Sequence, residues 1–224
     1  MVWTTADDDP VVEAVVATGL PAVVQGGPGR DGLPVITIDD RAAARAVAAE
    51  TFAGARRPAV LSQPMDRTRT PGLLWGPDPG TATFPVTRHR LQGLREGWED
   101  LGGDWSRMRV AVCARNSTAE AYEAATGLLA GPDAPDAIAA MGDEFALGVL
   151  RAAADLGRRV PGDLAVSGWD DADAAAPAGL TTIAQSLYDQ GRACARIALG
   201  QPAGDPDPST AWELVTRAST RRSA

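Results

Sequence analysis

Short apolar runs alternate along this chain with amphipathic stretches of helical period. The apolar runs predict buried strands at 20–24, 35–38, 58–61, 109–114, 137–141 and 164–168. The amphipathic stretches predict helices from residue 10 onward and at 39–53, 88–101, 118–130, 144–157 and 186–199. Such alternation is typical of parallel βαβ units, so we expect an α/β fold.

Two of the predicted strands end at acidic residues. Asp143 follows the strand at 137–141, and Asp170 and Asp171 follow Trp169 at the end of the strand at 164–168. Ligands of open α/β sheets bind beyond the carboxyl ends of parallel strands. The spacing therefore predicts a cleft in which carboxylates face a polar ligand.

Charge and composition narrow the classes of partner. The chain has 224 residues, 45% of them hydrophobic, and a net charge of −8, and all 21 basic residues are arginine. This balance offers no basic face for phosphate contacts, so we expect no DNA binding by this chain alone. No apolar run has membrane-spanning length and the start has no secretory signal pattern, which predicts a cytoplasmic protein without membrane contact.

The residues that could carry catalysis or bind a metal have no suitable companions. Cys113 and Cys194 lack metal or redox spacing, which predicts two buried thiols. His89 has no recognisable nucleophile or second metal ligand near it in sequence. The glycine-rich loop at 26–29 lacks a nucleotide-binding pattern. We therefore expect no enzyme activity, no metal and no cofactor; a carbohydrate-modifying enzyme would need an acid and base pair or an activated nucleophile.

Several motifs resemble one known family. The stretch 134–191 contains PDAIAAMGDEFALG, then VPGDLAVSGWDD, then LTTIAQ, and two further matches are GLPAVV at 19–24 and RLQGLREGW at 90–98. These motifs resemble the effector-binding part of the LacI/GalR family of bacterial transcription regulators. The resemblance implies a type I periplasmic-binding-protein-like fold, with two Rossmann-like parallel-sheet subdomains.

The resemblance also implies how the chain is divided. Residues 1–38 and 187–208 match an incomplete N-terminal subdomain, 39–185 and 209–217 match a C-terminal subdomain, and 218–224 form a tail. Family members carry a helix-turn-helix, a hinge helix and two strand-helix units before the point where this chain begins. Without those two units an inner strand at 20–24 would leave apolar surface and a sheet edge uncovered, so we expect self-association. The missing family segments would be explained if the chain is a fragment of a longer reading frame or a degenerate gene product.

Two residues are the principal ligand candidates. In the family, the arginine matching Arg90 reaches into the cleft between the subdomains, and the first aspartate of the WDD triplet, here Asp170, contacts the effector. A guanidinium suits hydroxyl or carboxylate groups because it offers a planar fork of donors. A solvated surface arginine and a helix-capping turn are the structural alternatives for the two residues.

Five further positions are weaker candidates. Asp143 is a candidate for ligand contact. Its structural alternative is to cap the N-terminus of the helix at 144–157. The position before it holds asparagine in sugar-binding relatives but is Gly142 here, which removes an amide. Gln185 lies at the crossover between subdomains, where it contacts ligand or holds hinge backbone. The loop after the strand at 109–114 supplies contacts in the family, and its residues are Arg115, Asn116 and Ser117.

The long segment 62–87 has no counterpart of similar length in the family pattern. It contains Leu73, Leu74 and Trp75 between proline- and glycine-rich turns. Long loops without secondary structure are commonly functional or disordered, so this one is either a lid over the cleft or a surface loop attached through its apolar residues. Trp105 precedes the strand at 109–114 and is predicted to be a packing residue.

Taken together, these features predict the effector-sensing and dimerising part of a LacI-type regulator. Its partners would be a small, carbohydrate-like effector, a second copy of the chain, and operator DNA only through a helix-turn-helix outside this chain. A stand-alone solute-binding protein of the same fold is the alternative. The two differ in what precedes the chain, a basic helix-turn-helix in one case and an export signal in the other.

Overall fold

The computed structural model describes residues 1–202 and 210–220 and confirms the predicted α/β architecture. The strands are β1 (Val2–Trp3), β2 (Val24–Gln25), β3 (Val35–Ile36), β4 (Pro58–Ser62), β5 (Gly72–Trp75), β6 (Arg109–Val112), β7 (Ala137–Ala140), β8 (Ala165–Ser167), β9 (Thr182–Gln185) and β10 (Trp212–Val215). The helices are α1 (Pro10–Ala17), α2 (Asp40–Thr51), α3 (Pro85–Asp100), α4 (Thr118–Leu129), α5 (Asp143–Asp155) and α6 (Leu187–Ala198).

The larger sheet has five strands in the order β5-β6-β4-β7-β8. Strands β6, β4, β7 and β8 are parallel, and β5 pairs antiparallel with β6 at the edge. Every residue of β4 and β7 is buried, as expected of central parallel strands that are covered on both faces. The carboxyl ends of β4, β7 and β8 consequently lie side by side.

Helices cover both faces of this sheet. Helices α2 and α3 share one apolar cluster with it, and α4 and α5 share the other. Two glycines allow α3 to lie directly on α2: a Cβ on Gly93 would come within 2.1 Å of the Arg41 carbonyl, and one on Gly97 within 2.6 Å of the Ala48 methyl group. Because the two helices lie this close, side chains of α3 can contact residues at the start of α2.

The smaller sheet is formed by β1, β2 and β3, all parallel, with β2 in the centre. Helix α6 packs on it through Ala193 and Cys194, and α1 through Val12. The predicted strand at 20–24 is wrong in its extent, because only its last residue pairs; β2 has neighbours on both sides. Large apolar side chains remain exposed around this sheet, including Trp3 at 64% and Leu20 at 70%.

Strands β9 and β10 form an antiparallel pair that the sequence pattern did not predict. Isolated bridges join Thr181 to Ser167 and Ala184 to Asp170, so β9 runs beside the end of β8. Ser219 and Thr220, which we expected in a tail, are buried, and the Ser219 hydroxyl donates to the Val166 carbonyl at 2.6 Å. Most of the polar stretch at 201–209 lies outside the described residues.

The segment 62–87 is not a structureless loop, which corrects that expectation. It contains β5, a short 3-10 turn at Pro79–Thr81 and the first residues of α3. The three apolar residues of β5 stay at least 37% exposed although the strand is paired with β6. The segment also meets the N-terminal part of the chain, where the Arg67 guanidinium donates to the Asp8 carbonyl at 3.1 Å. Trp105 is buried, as predicted, and its indole N–H donates to the Pro77 carbonyl.

Candidate functional site

Arg90 lies at the carboxyl end of the five-stranded sheet, in the second turn of α3, and is 5% exposed. Its Nε donates to Asp40 Oδ1 at 2.8 Å and its Nη1 donates to the Met141 carbonyl at 2.9 Å. The guanidinium carbon lies 3.9 Å from the centre of the Trp169 ring. Only two of the five guanidinium N–H groups are used by the described residues, so three remain for another acceptor.

The partner of Arg90 was not identified from the sequence. Asp39 is the N-cap of α2, since its carboxylate accepts from the Ala42 N–H, whereas Asp40 turns inward and is 3% exposed. Its second oxygen accepts from the Thr37 hydroxyl at 3.2 Å. The ion pair therefore joins α2 and α3 in a buried position and cancels the charge of Arg90. The sequence feature that could have indicated Asp40 is the pair of adjacent aspartates at the start of an alanine-rich helix, of which only one is needed as the cap.

Asp170 lies three residues beyond the end of β8, in a left-handed backbone conformation with φ at 103°. Its amide donates to the Ile183 carbonyl, and its Oδ1 accepts from Gln185 Nε2 at 2.7 Å. The next residue, Asp171, points elsewhere and pairs with Arg217 at 2.8 Å. The structure thus brings Asp170 and Gln185 together, and it sets Asp170 beside the tryptophan on which Arg90 lies.

Gln185 is the middle of a longer row of amides. Gln190 Nε2 donates to Gln185 Oε1 at 2.9 Å, and Gln25 Nε2 in turn donates to Gln190 Oε1. Gln190 is 1% exposed, while Gln25 lies on β2 of the smaller sheet. The buried Gln25 Oε1 has no hydrogen-bond partner among the described residues. The sequence analysis did not identify Gln190, although a glutamine three residues before Ala193 lies on the apolar face of α6 and so indicates a buried polar contact.

Asp143 does not cap α5, which corrects the structural interpretation of this residue. Gly142 is the N-cap, and the Asp143 carboxylate accepts from the Ala172 N–H at 2.7 Å and from the Thr182 hydroxyl at 2.8 Å. Burial raises the pKa of Asp143 to about 6, and the nearby Asp170 adds to the rise, against these hydrogen bonds. The residue holds the segments after β8 and before α6 against the start of α5.

The three candidate residues in the loop between β6 and α4 face different parts of the molecule. Arg115 pairs with Glu120 at 2.7 Å and lines a separate groove of about 970 Å³ between β5, β6 and α4. Ser117 is the N-cap position of α4. The Asn116 amide faces the cleft side instead, because a Cβ on Gly142 would lie 3.3 Å from Asn116 Oδ1.

The described residues supply little else for chemistry. They contain no group of three side chains suited to a metal ion, and within 1–202 and 210–220 no helix is long and apolar enough to cross a membrane. Cys113 and Cys194 are buried thiols, as predicted, and burial raises the pKa of Cys113 to about 11. His89 is exposed on α3.

Comparison with known proteins gives a consistent family. A profile described as periplasmic binding protein-like domain matches residues 53–224. The HTH-type transcriptional regulator IpsA of Corynebacterium glutamicum is 32% identical over 187 residues, covering 83% of this chain and 52% of the relative. MalR of Streptomyces coelicolor, also an HTH-type transcriptional regulator, is 31% identical and covers 97% of this chain and 60% of the relative. The chain thus spans about half to three fifths of these relatives.

Solved structures agree with this family. A LacI-family regulator from C. glutamicum superposes with a TM-score of 0.87 at 26% identity, covering 98% of this chain and 66% of that one. A LacI-family regulator from Enterococcus faecium with bound ribose superposes with a TM-score of 0.74 at 18% identity, covering 96% of this chain and 75% of that one. This likeness shows that the two chains share a fold. The chain therefore belongs to the LacI family and contains that family's periplasmic-binding-protein-like effector-binding domain.

Proposed function

We propose that this chain senses a small, hydroxyl-rich effector for a cytoplasmic LacI-type transcription regulator, acting as a homodimer and not as an enzyme. In this proposal Asp170, Arg90, Gln185 and Asn116 contact the effector. Residues 1–38 and 187–202 form one wall of the cleft, and 39–185 with 210–217 form the other. The family itself and the regulator names of the relatives support this interpretation over a stand-alone solute-binding protein.

One observation carries the proposal. Asp170 is held by Gln185 in a strained backbone conformation at the end of β8, next to the ring on which Arg90 lies. Backbone strain of this kind persists only where the surroundings impose it, and it is common at ligand sites. If one ligand reaches both the Asp170 carboxylate and the unused N–H groups of Arg90, it needs hydroxyl donors for the first and oxygen acceptors for the second.

A sugar-like ligand fits the remaining side chains. The family resemblance implies an asparagine at the position of Gly142 in sugar-binding members, and in this chain the Asn116 amide lies beside that position. The E. faecium structural neighbour holds ribose, which is consistent with a sugar-like ligand in this fold. Because Asp40 cancels the charge of Arg90 while Asp170 forms no ion pair with the described residues, the cleft suits an uncharged ligand better than an anion.

The first test uses Asp170→Asn. Asparagine tolerates the positive φ and can still accept the Gln185 hydrogen bond, so the fold should survive. In a titration against unmodified pentoses, hexoses and disaccharides, starting with ribose, we expect the best ligand to bind about 10-fold to 100-fold more weakly to the variant than to the natural chain.

Asp171→Asn is the matched control, because it makes the same change one residue further on, where the carboxylate faces Arg217. It should leave affinity unchanged. Equal ligand binding by Asp170→Asn and the natural chain, with both folded, would show that the assigned site is wrong. Failure of every neutral sugar to bind would rule out the proposed ligand class.

The second test concerns DNA. With a net charge of −8, the 224-residue chain should show no binding to duplex DNA in a fluorescence anisotropy titration at physiological salt. Lowering the salt should not reveal the steep rise in affinity that follows from arginine contacts to phosphates. Retention of one promoter sequence at nanomolar concentration would contradict this expectation.

A further inference from the structure

A second pocket lies at the amino-terminal end of the five-stranded sheet, opposite the cleft. It has a volume of about 670 Å³ and is bounded by the ends of α2 and α3 and by the starts of β4 and β6. This volume is within the range of small-molecule sites. The family resemblance assigns nothing to this end of the domain.

Four arginines line this pocket, namely Arg56, Arg57, Arg107 and Arg109. None of them forms an ion pair within the described part of the chain, although eleven other arginines do. Two aspartates also line the pocket, and one of them, Asp104, is engaged by the N–H and hydroxyl groups of Ser106. The Asp136 carboxylate also lies nearby, since it accepts from the Arg56 and Arg57 backbone N–H groups, so four guanidinium groups face three carboxylates in a chain whose net charge is −8.

Two of these guanidinium groups lie close to each other. Arg57 Nε donates to the Ala134 carbonyl at 3.0 Å, and Arg109 Nη2 donates to the adjacent Asp133 carbonyl. Burial lowers the pKa of Arg109, the Asp133 carboxylate opposes that fall, and repulsion from the like charge of Arg57 adds to it to a smaller extent. An anion placed between the two groups would relieve this repulsion.

The ends of α2 and α3 offer a simpler reason for cations here, since helix C-termini attract positive charge. Some of the terminal carbonyls are bonded to backbone N–H groups: Phe52 N donates to Ala48 near the end of α2, and Gly102 and Gly103 donate to Glu99 and Trp98 at the end of α3. Each helix end is equivalent to about half a charge. The two helix ends together carry about one negative charge, which balances only part of the positive charge of the four guanidinium groups.

An aromatic surface accompanies the charge. Trp75 is 63% exposed at the pocket, with the Arg109 guanidinium 6.0 Å from its ring centre. Arg56 and Arg107 are exposed, and their guanidinium groups make no hydrogen bond within the described residues, so their donor forks are free for a phosphate. We propose that this pocket binds a small phosphate ester that carries a ring, with the phosphate on the arginines and the ring on Trp75.

Calorimetric titration of the 224-residue chain with AMP, adenosine and inorganic phosphate tests the proposal. AMP should bind at least about 10-fold more tightly than adenosine, because adenosine lacks the group that the arginines hold. The double variant Arg56→Gln/Arg107→Gln should lose at least about 10-fold in AMP affinity. Trp75→Leu should weaken AMP binding and leave the binding of inorganic phosphate unchanged.

Arg151→Gln is the control for loss of an arginine elsewhere, since Arg151 forms no ion pair with the described residues and lies over Tyr122 on the far side of α4 and α5. It should bind AMP as the natural chain does. Equal affinity for AMP and adenosine, or equal AMP binding by the double variant, would overturn the proposal. Loss of AMP binding in Asp170→Asn, with retention in the double variant, would place the nucleotide in the effector cleft and overturn it as well.

Discussion

Replacing Arg90 with alanine is expected to lower the free energy of unfolding by about 3 to 5 kcal/mol. The substitution leaves the Asp40 carboxylate buried at 3% exposure with no cation beside it. It also removes the stacking on Trp169 and the bond to the Met141 carbonyl. An effect of this size on folding differs from the expectation for a surface ligand contact, where binding alone would suffer.

Urea unfolding of matched variants measures this effect. Arg115→Ala removes an arginine whose ion pair with Glu120 is exposed, and should cost no more than about 1 kcal/mol. Adding Asp40→Asn to Arg90→Ala should recover part of the loss, because no unpaired charge then remains buried. A cost below about 1 kcal/mol for Arg90→Ala would mean that solvent reaches Asp40 and that the ion pair is not a structural element.

Asp143→Asn is expected to stabilise the protein at neutral pH by about 1 to 3 kcal/mol. Burial first of all raises the pKa of Asp143 from its ordinary 3.8 to about 6, so the ionised carboxylate costs about 3 kcal/mol above pH 7. Asparagine keeps an acceptor for the Ala172 N–H and can donate to the Thr182 hydroxyl oxygen, without carrying a charge.

The pH dependence separates this cause from a general packing effect. The folded state binds the Asp143 proton more tightly than the unfolded state, so the natural chain gains stability from this group below pH 4 and loses it as the pH rises through 6. The advantage of Asp143→Asn should therefore be about 2 kcal/mol smaller at pH 4.5 than at pH 7.5. An advantage independent of pH would contradict the assignment.

Asp143→Ala provides the comparison within the same position. Alanine also removes the buried charge, but it leaves the Thr182 hydroxyl, which is fully buried, and the Ala172 N–H without their acceptor. Each lost partner costs about 1 to 3 kcal/mol, so this variant should be less stable than Asp143→Asn at every pH. Equal stability of the two variants would show that the hydrogen bonds contribute little.

Local pattern was sufficient for the parallel core. The runs that became β4, β6, β7 and β8 are apolar on both faces, and the helices between them carry one apolar face each, so their order along the chain predicts a parallel sheet. The motifs at the ends of these strands pointed to Asp170 and Asp143 for the same reason. A strand that is buried throughout leaves its polar residues at its carboxyl end, where the chain turns.

The antiparallel pairs had no such signal. Strand β5 pairs with β6 more than thirty residues further along the chain, and β10 pairs with β9 across α6 and the polar stretch that follows it. Strand β1 has only two residues, too few for a periodic pattern. Whether such short segments form strands depends on the neighbour that supplies their hydrogen bonds, and that neighbour is brought into place by the fold as a whole.

The sequence by itself therefore determined the fold class, the alternation of parallel strands with helices along the chain, and the family, because these follow from apolar periodicity and from short contiguous motifs. Only the tertiary structure decided the partners of the site residues: Asp40 for Arg90, Thr182 for Asp143, and Gln190 for Gln185. Each of these pairs joins two different elements. A buried polar group must find a partner wherever packing places one, and local sequence carries no record of that place.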